Sequence, residues 1–88
     1  MLELKTTTAF KRHLKVCKKR NKDLSKIVDI IELLRQQKSI PSKYKDHKLI
    51  GSLVGSRDLH IEPDWILIYR ISGSSLILEY TGTHSDIF

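Results

Sequence analysis

Arg57-Asp58-Leu59-His60-Ile61-Glu62-Pro63-Asp64-Trp65-Ile66-Leu67-Ile68-Tyr69-Arg70-Ile71 sets a polar cluster beside the most apolar run of the chain. Trp65 to Ile71 is rich in β-branched and aromatic residues, holds no Gly or Pro and is broken only by Arg70, which predicts a strand buried on both faces in the middle of a sheet. Residues 56 to 62 alternate instead. Side chains on a strand change face at every residue, so Arg57, Leu59 and Ile61 are expected on one side and Asp58, His60 and Glu62 on the other. Pro63 cannot donate to a ladder and, like Asp64, favours turns, so a short hairpin is expected at Glu62 to Asp64, holding Asp64 at the rim near His60. Asp58 and His60 would then share a face, where a carboxylate can fix the tautomer of an imidazole and support proton transfer at neutral pH. An isolated Asp-x-His is a weak motif, and the other histidines must carry the rest of the argument.

Around this stretch, the 88 residues leave room for one domain, 1–88, with a small core that needs no staples. The single cysteine, Cys17, excludes an internal disulfide and fits a buried apolar position on a helix. Met1, Leu2 and Leu4 are followed at once by Lys5 and three threonines, so no signal-peptide segment is expected, and no run nears the roughly 20 residues that cross a bilayer. A cytoplasmic protein is expected. The formal charge of +6 is unevenly spread: residues 1 to 48 hold 14 of the 16 Lys and Arg but 5 of the 10 acidic residues, which makes that half +9 and the rest −3. Such asymmetry suits a polyanion, nucleic acid or an acidic protein segment, and equally a solvated helix face.

Leu2 to Lys5 alternates and reads as a first strand. Thr6, Thr7 and Thr8 offer N-caps for a helix beginning near Thr8, with an apolar stripe of Phe10, Leu14 and Cys17 and a basic surface that includes Lys11, Lys15 and Lys18. His13 lies beside that stripe and reads as structural. Arg20 to Lys22 form a turn, and Asp23 caps a second helix whose Leu24, Ile27, Val28, Ile31 and Leu34, widened by Ile30 and Leu33, should pack on the sheet and end near Lys38, before Pro41. Residues 39 to 55 form a long connection in which Lys43, Lys45 and Lys48 surround Tyr44 and His47, a grouping that suits a phosphate backbone with a base stacked on the ring. Ser72 to Ser75 is a second turn, and Leu76 to Thr81 the returning strand. The fold class is therefore α+β: an N-terminal strand and a two-helix hairpin packed on a mainly antiparallel sheet of four to five strands.

His47, His60 and His84 come from a loop, a strand and the tail after a strand, and an antiparallel sheet can bring them to one rim. Together they contain what RNA phosphodiester cleavage requires without a metal: a base for the 2′-hydroxyl, an acid for the 5′-oxygen, and cations, here Lys45, Arg57 and Lys48, for the phosphate. Three imidazoles with Asp58 or Asp64 can also ligate zinc, although the tight pairs usual in zinc sites, H-x-x-H or H-E-x-x-H, are absent.

At these residues the sequence resembles the YafQ-type toxins of bacterial type II toxin–antitoxin systems, within the RelE-like superfamily. The resemblance rests on Tyr44-Lys45-Asp46-His47, on Arg57-Asp58 with His60, on Glu62-Pro63-Asp64-Trp65-Ile66-Leu67-Ile68-Tyr69, and on Thr81-Gly82-Thr83-His84 with terminal Phe88. It covers most of residues 41 to 88, while the basic helices match in character. No matched position departs from it, although the surrounding loop has Leu53 and Val54 with Ser56 where relatives often carry aromatics, which bears on base or codon preference. The resemblance implies a RelE-like fold and a ribosome-dependent mRNA endonuclease, an mRNA interferase that cuts in the A site, blocks translation and is silenced by a cognate antitoxin with an acidic segment. It implies a catalytic set of His47, His60, Asp64 and His84, with Asp58 and Phe88 contributing. His84 would be the acid, His60 or Asp64 the base, and His47 a phosphate ligand; Tyr44, Lys45, Lys48, Arg57, Lys11, Lys15 and Lys18 would contact RNA, and no cofactor is called for. The alternative is a non-catalytic toxin of the same fold that binds a protein such as a topoisomerase and needs no histidine cluster.

Overall fold

The computed structural model describes residues 1–51 and 55–88, so Leu53 and Val54 lie outside the described residues. The elements run β1 (Glu3–Thr6), α1 (Thr8–Lys19), α2 (Leu24–Arg35), a 3-10 turn (Ser42–Tyr44), β2 (His47–Lys48), β3 (Arg57–Glu62), β4 (Trp65–Ser72), β5 (Ser75–Gly82) and α3 (His84–Ile87). The five strands lie in the order β1-β5-β4-β3-β2, which puts the apolar run at the centre. Four of them pair antiparallel, and β1 joins the edge parallel to β5, so the sheet is mixed.

Both long helices begin where short polar side chains can replace a missing backbone partner. The Thr7 hydroxyl accepts from the Phe10 amide at 3.0 Å, and the Asp23 carboxylate accepts from the Ser25 amide at 3.0 Å. Each ends on a left-handed residue, Asn21 (φ 60°) and Gln37 (φ 54°), whose neighbours fold back onto the last carbonyls: Lys22 N–H donates to Cys17 O and Lys38 N–H to Leu33 O. The second helix thus stops at Arg35, earlier than the expected Lys38. Its core stripe is Ile27, Ile30 and Leu34, while Val28, expected inside, is 56 % exposed on the outer side.

The two faces of the sheet differ in kind. Leu59, Ile61, Trp65, Leu67, Tyr69, Leu76 and Leu78 form one cluster with Phe10, Cys17, Ile27, Ile30 and Leu34 of the helices. Ile66 and Ile68 are fully buried but stand outside it, on the opposite face with Asp58 and His60, because residues along β4 alternate. Trp65 satisfies its indole N–H by donating to the Thr81 hydroxyl (3.0 Å), which donates in turn to the Ile66 carbonyl (2.9 Å). Burial ends early along β4: Arg70 is half-buried and Ile71 47 % exposed, so the stretch buried on both faces is Trp65 to Tyr69.

One alternation fails. Glu62 is expected beside Asp58 and His60, but the β3–β4 register shifts between His60 and Glu62. A bulge inserts one residue and reverses the faces beyond it. Glu62 therefore turns to the helices, where it accepts from Lys22 (3.0 Å) and Lys26 (2.8 Å), and those two ammonium groups hold its carboxyl below the ordinary range.

Candidate active site

Four elements each deliver one part of the site. β2 pairs with β3 so that His47 stands opposite Asp58, and His60 follows two residues along β3 on the same face. The β3–β4 turn exposes Asp64, and α3 opens with His84. The rings of His47 and His60 are 6.1 Å apart between centroids, and those of His60 and His84 are 5.4 Å apart. Phe88 stacks on His84 at 6.2 Å, and its amide closes the final turn by donating to the His84 carbonyl at 2.8 Å.

Asp58 lies beneath this group. It is 3 % exposed, and its carboxylate oxygens stand 3.7 Å from His47 Nε2, 3.9 Å from His60 Nε2 and 3.9 Å from His84 Nε2. These are ion-pair distances rather than hydrogen bonds. Its Oδ1 has no hydrogen-bond donor among the described residues, a costly state for a buried carboxylate unless opposite charge is near. Asp58 is thus a counter-charge available to whichever imidazole carries an extra proton. On the solvent side, Asp64 Oδ1 approaches His84 Nδ1 at 3.6 Å, so His84 sits between two carboxylates.

His47 is oriented from behind. Lys45 adopts a left-handed conformation (φ 49°) that turns its carbonyl toward the ring, where it accepts from His47 Nδ1–H at 2.7 Å and leaves Nε2 facing Asp58. The preceding loop is tied by Asp46, whose Oδ1 accepts from Tyr69 O–H (2.7 Å) and Arg57 Nε–H (3.0 Å). Burial and that neighbouring carboxylate push the Tyr69 phenol well above its ordinary range. Arg57, expected on RNA, therefore spends its Nε on Asp46.

The other expected RNA contacts divide. Lys45, Lys48, Lys11, Lys15 and Lys18 are exposed. Tyr44 is half-buried against the core, and Lys43 Nζ lies 5.1 Å from its ring centroid, so a base could stack there only if Lys43 moved. A cleft of about 410 Å³ opens beside His60, lined among others by Lys26, Asp29, Lys43, Tyr44 and Lys45. Lys43 and Lys45 bring positive charge there beside His60, while Lys26 is paired with Glu62, which also lines it.

The same donors can hold a metal: one ligand atom each from Asp58, His60 and His84 lie within 4.8 Å of one another. An ion there would occupy the atoms that acid–base chemistry needs free.

Two features escaped sequence reasoning. The Asp46–Arg57–Tyr69 network joins residues up to 23 positions apart and leaves no local sign. Asp86 does leave one, since Thr83-His84-Ser85-Asp86 has the capping-box spacing: the Thr83 amide donates to Asp86 Oδ2 (2.9 Å) and the Asp86 amide to Thr83 Oγ1 (3.1 Å).

Comparison with known proteins agrees with this architecture. The sequence model of the YafQ bacterial toxin of type II toxin–antitoxin systems matches residues 2–88. The mRNA interferase toxin YafQ of Escherichia coli K12 is 44 % identical over 80 residues, covering 90 % of this chain and 87 % of that one. YafQ in the crystal structure of the E. coli DinJ–YafQ toxin–antitoxin complex superposes with a TM-score of 0.90 at 40 % identity, covering 99 % of this chain and 97 % of that one. A metal-bound toxin from Helicobacter pylori superposes with a TM-score of 0.94 at 34 % identity over 100 % of both chains.

Proposed function

The chain belongs to the YafQ family of bacterial type II toxins, and from that premise we propose that it is an mRNA interferase that cuts messages in the ribosomal A site at the His47–His60–His84 cluster. The observation that carries this reading is the buried Asp58 carboxylate ringed by three imidazole Nε2 atoms within 3.9 Å. A base and an acid that serve one phosphodiester must stand close together, and the His60 and His84 ring centroids are 5.4 Å apart.

In this mechanism His60 takes the proton of the 2′-hydroxyl while Asp58 balances the imidazolium that forms. The 2′-oxygen attacks phosphorus, the bond to the 5′-oxygen breaks, and His84 returns a proton to that leaving oxygen. A 2′,3′-cyclic phosphate and a 5′-hydroxyl result. Asp64, 3.6 Å from His84 Nδ1, holds the acid in its orientation, which favours His60 over Asp64 as the base. His47 and Lys45 meet the phosphate charge, and Phe88 gives a base a surface beside His84. Every proton in this scheme moves between side chains of the chain itself and the RNA, so no metal is required.

The partner that silences the toxin is a cognate antitoxin, as DinJ is in the complex with E. coli YafQ. An acidic antitoxin segment suits the basic first half of the chain. The ribosome and its message are the working partners, in the cytoplasm; no helix is long and apolar enough to cross a membrane among the described residues.

Primer extension on a translated message with purified ribosomes tests the reading. Wild-type protein is expected to leave cuts inside codons only when ribosomes are present, and His84→Ala to cut about 100- to 10,000-fold more slowly. Growth arrest by both proteins with no cuts from either would instead favour a non-catalytic toxin that binds a protein target.

A further inference from the structure

The acid of the proposed reaction stands on a very short helix. His84 opens a four-residue helix that follows β5. A helix of one turn is marginal by itself and needs packing or side-chain ties to hold its shape. Here the tie comes from 66 residues away. Arg20, the C-cap of α1, grips Asp86 with both nitrogens of its fork: Nη1–H donates to Oδ2 at 2.7 Å and Nη2–H to Oδ1 at 3.2 Å. Paired donors of this kind fix orientation as well as distance.

Asp86 is placed for this grip by two further features. Its Oδ2 also accepts from the Thr83 amide, so one carboxylate caps the turn and receives the arginine. Its carboxyl is held far below the ordinary range, chiefly by Arg20 and then by Thr83. The approach needs a glycine: Gly82 lies at φ 145°, and a Cβ there would meet Asp86 Oδ2 at 2.7 Å. Thus β5, Gly82 and Thr83 lead the chain under the guanidinium, and His84 emerges over Asp58.

We infer that Arg20 and Asp86 are positioning residues for His84, a clamp from the α1–α2 elbow that sets the acid over the scissile phosphate. The inference rests on the proposed ribonuclease reading, with Arg20 touching neither substrate nor reacting atoms. Arg20 belongs to the basic first half of the chain yet is not one of its free cations. Its charge is spent on Asp86, at the surface of the molecule.

The test uses Arg20→Met, which keeps the stem and removes the fork, with Arg20→Lys as the conservative variant and Gly82→Ala as an independent way to push Asp86 aside. On the free protein, NMR reads contacts between the His84 and Phe88 rings, and thermal unfolding reads the fold. On ribosomes, single-turnover cleavage at saturating toxin is measured apart from binding and its salt dependence. Arg20→Met is expected to unfold within a few degrees of wild type, to lose the ring contacts, and to cleave about 100-fold more slowly at saturation with binding little changed, as misplacing a catalytic group by 1 Å can do. Arg20→Lys should recover part of the rate, and Gly82→Ala should repeat the defect. Wild-type cleavage with ring contacts intact would overturn the clamp, as would weaker, less salt-sensitive binding with an unchanged saturated rate, which would make Arg20 an RNA contact. If the wild type cuts nothing, the ribonuclease reading fails, while the ring contacts still report whether Arg20 holds the tail.

Discussion

The two faces of the central sheet use the same strands for opposite ends. On the helix face, Leu59, Leu67 and Tyr69 are 1 % exposed or less and pack into a continuous apolar cluster. On the other face, one residue away along the same backbone, Asp58 is buried with no hydrogen-bond donor to Oδ1 among the described residues. The first arrangement lowers the free energy of the fold, and the second raises it. Alternation along β3 lets the stable face support the costly one, since that strand cannot move Asp58 and His60 without moving Leu59 and Ile61 of the core too.

The contrast breaks most visibly at Trp65. Its ring is fully buried, its N–H is satisfied by Thr81, and Lys22 Nζ lies 5.8 Å from its centroid. Trp65→Ala is expected to cost about 3–5 kcal/mol of stability in urea unfolding. Activity should fall only as far as the folded fraction does, so an active-site defect in fully folded protein would contradict the division between faces.

Metal sharpens the same division. Zinc or copper bound by Asp58, His60 and His84 should stabilise the fold, by about 2.7 kcal/mol at 100 times its dissociation constant, while inhibiting cleavage. Thermal unfolding and cleavage followed in one zinc titration, then reversed by a chelator with magnesium restored, check both halves. Stimulation by zinc would argue against acid–base catalysis by free imidazoles.

Asp58→Asn removes the buried charge and keeps the shape. Cleavage is expected to fall roughly 100-fold as the imidazolium loses its counter-charge. Stability should stay within about 1 kcal/mol of wild type, because relief of the buried charge is offset by loss of its attraction to the protonated His84 at 3.9 Å. A variant that is less stable as well as less active would show that Asp58 holds the fold together.

The smallest effect is expected from acid at the C-terminal turn. Asp86 has its carboxyl lowered in the folded protein by Arg20 and Thr83, so its contribution is fully present above the unfolded carboxylate value of about 3.9 and is lost as pH falls below it. The Thr83 amide, which donates to Asp86, should shift in NMR over that acidic range while β4 amides stay in place. A Thr83 shift near pH 6 would assign the tie to an imidazole instead.

Much of this was legible in the chain. Trp65 to Ile71 read as a central strand buried on both faces, because a run of that length and composition has few other ways to be buried, and the structure buries it as far as Tyr69. Thr7 and Asp23 read as caps because short oxygen-bearing side chains satisfy the first amides of a helix. The candidate site residues were named by resemblance to the YafQ toxins, through Tyr44-Lys45-Asp46-His47, Asp58, His60, Asp64 and Thr83-His84, and the structure draws the three histidines together over Asp58. Val28 and Glu62 read wrongly for the same reason: periodicity names a face but cannot see how a neighbour packs or where a bulge reverses it.

The sequence by itself determined what interacts over a few residues: the types of element, their caps and turns, the apolar strand and the set of groups able to move protons. Tertiary structure alone decided that Arg57 is shared with Asp46, that Tyr69 ties the His47 loop, that Glu62 faces the helices and that Arg20 reaches Asp86. These pairs lie 11 to 66 residues apart, and their meeting depends on strand order, register and bulges. Those are properties of the packed whole, in which each distance follows from many contacts at once and from no local pattern.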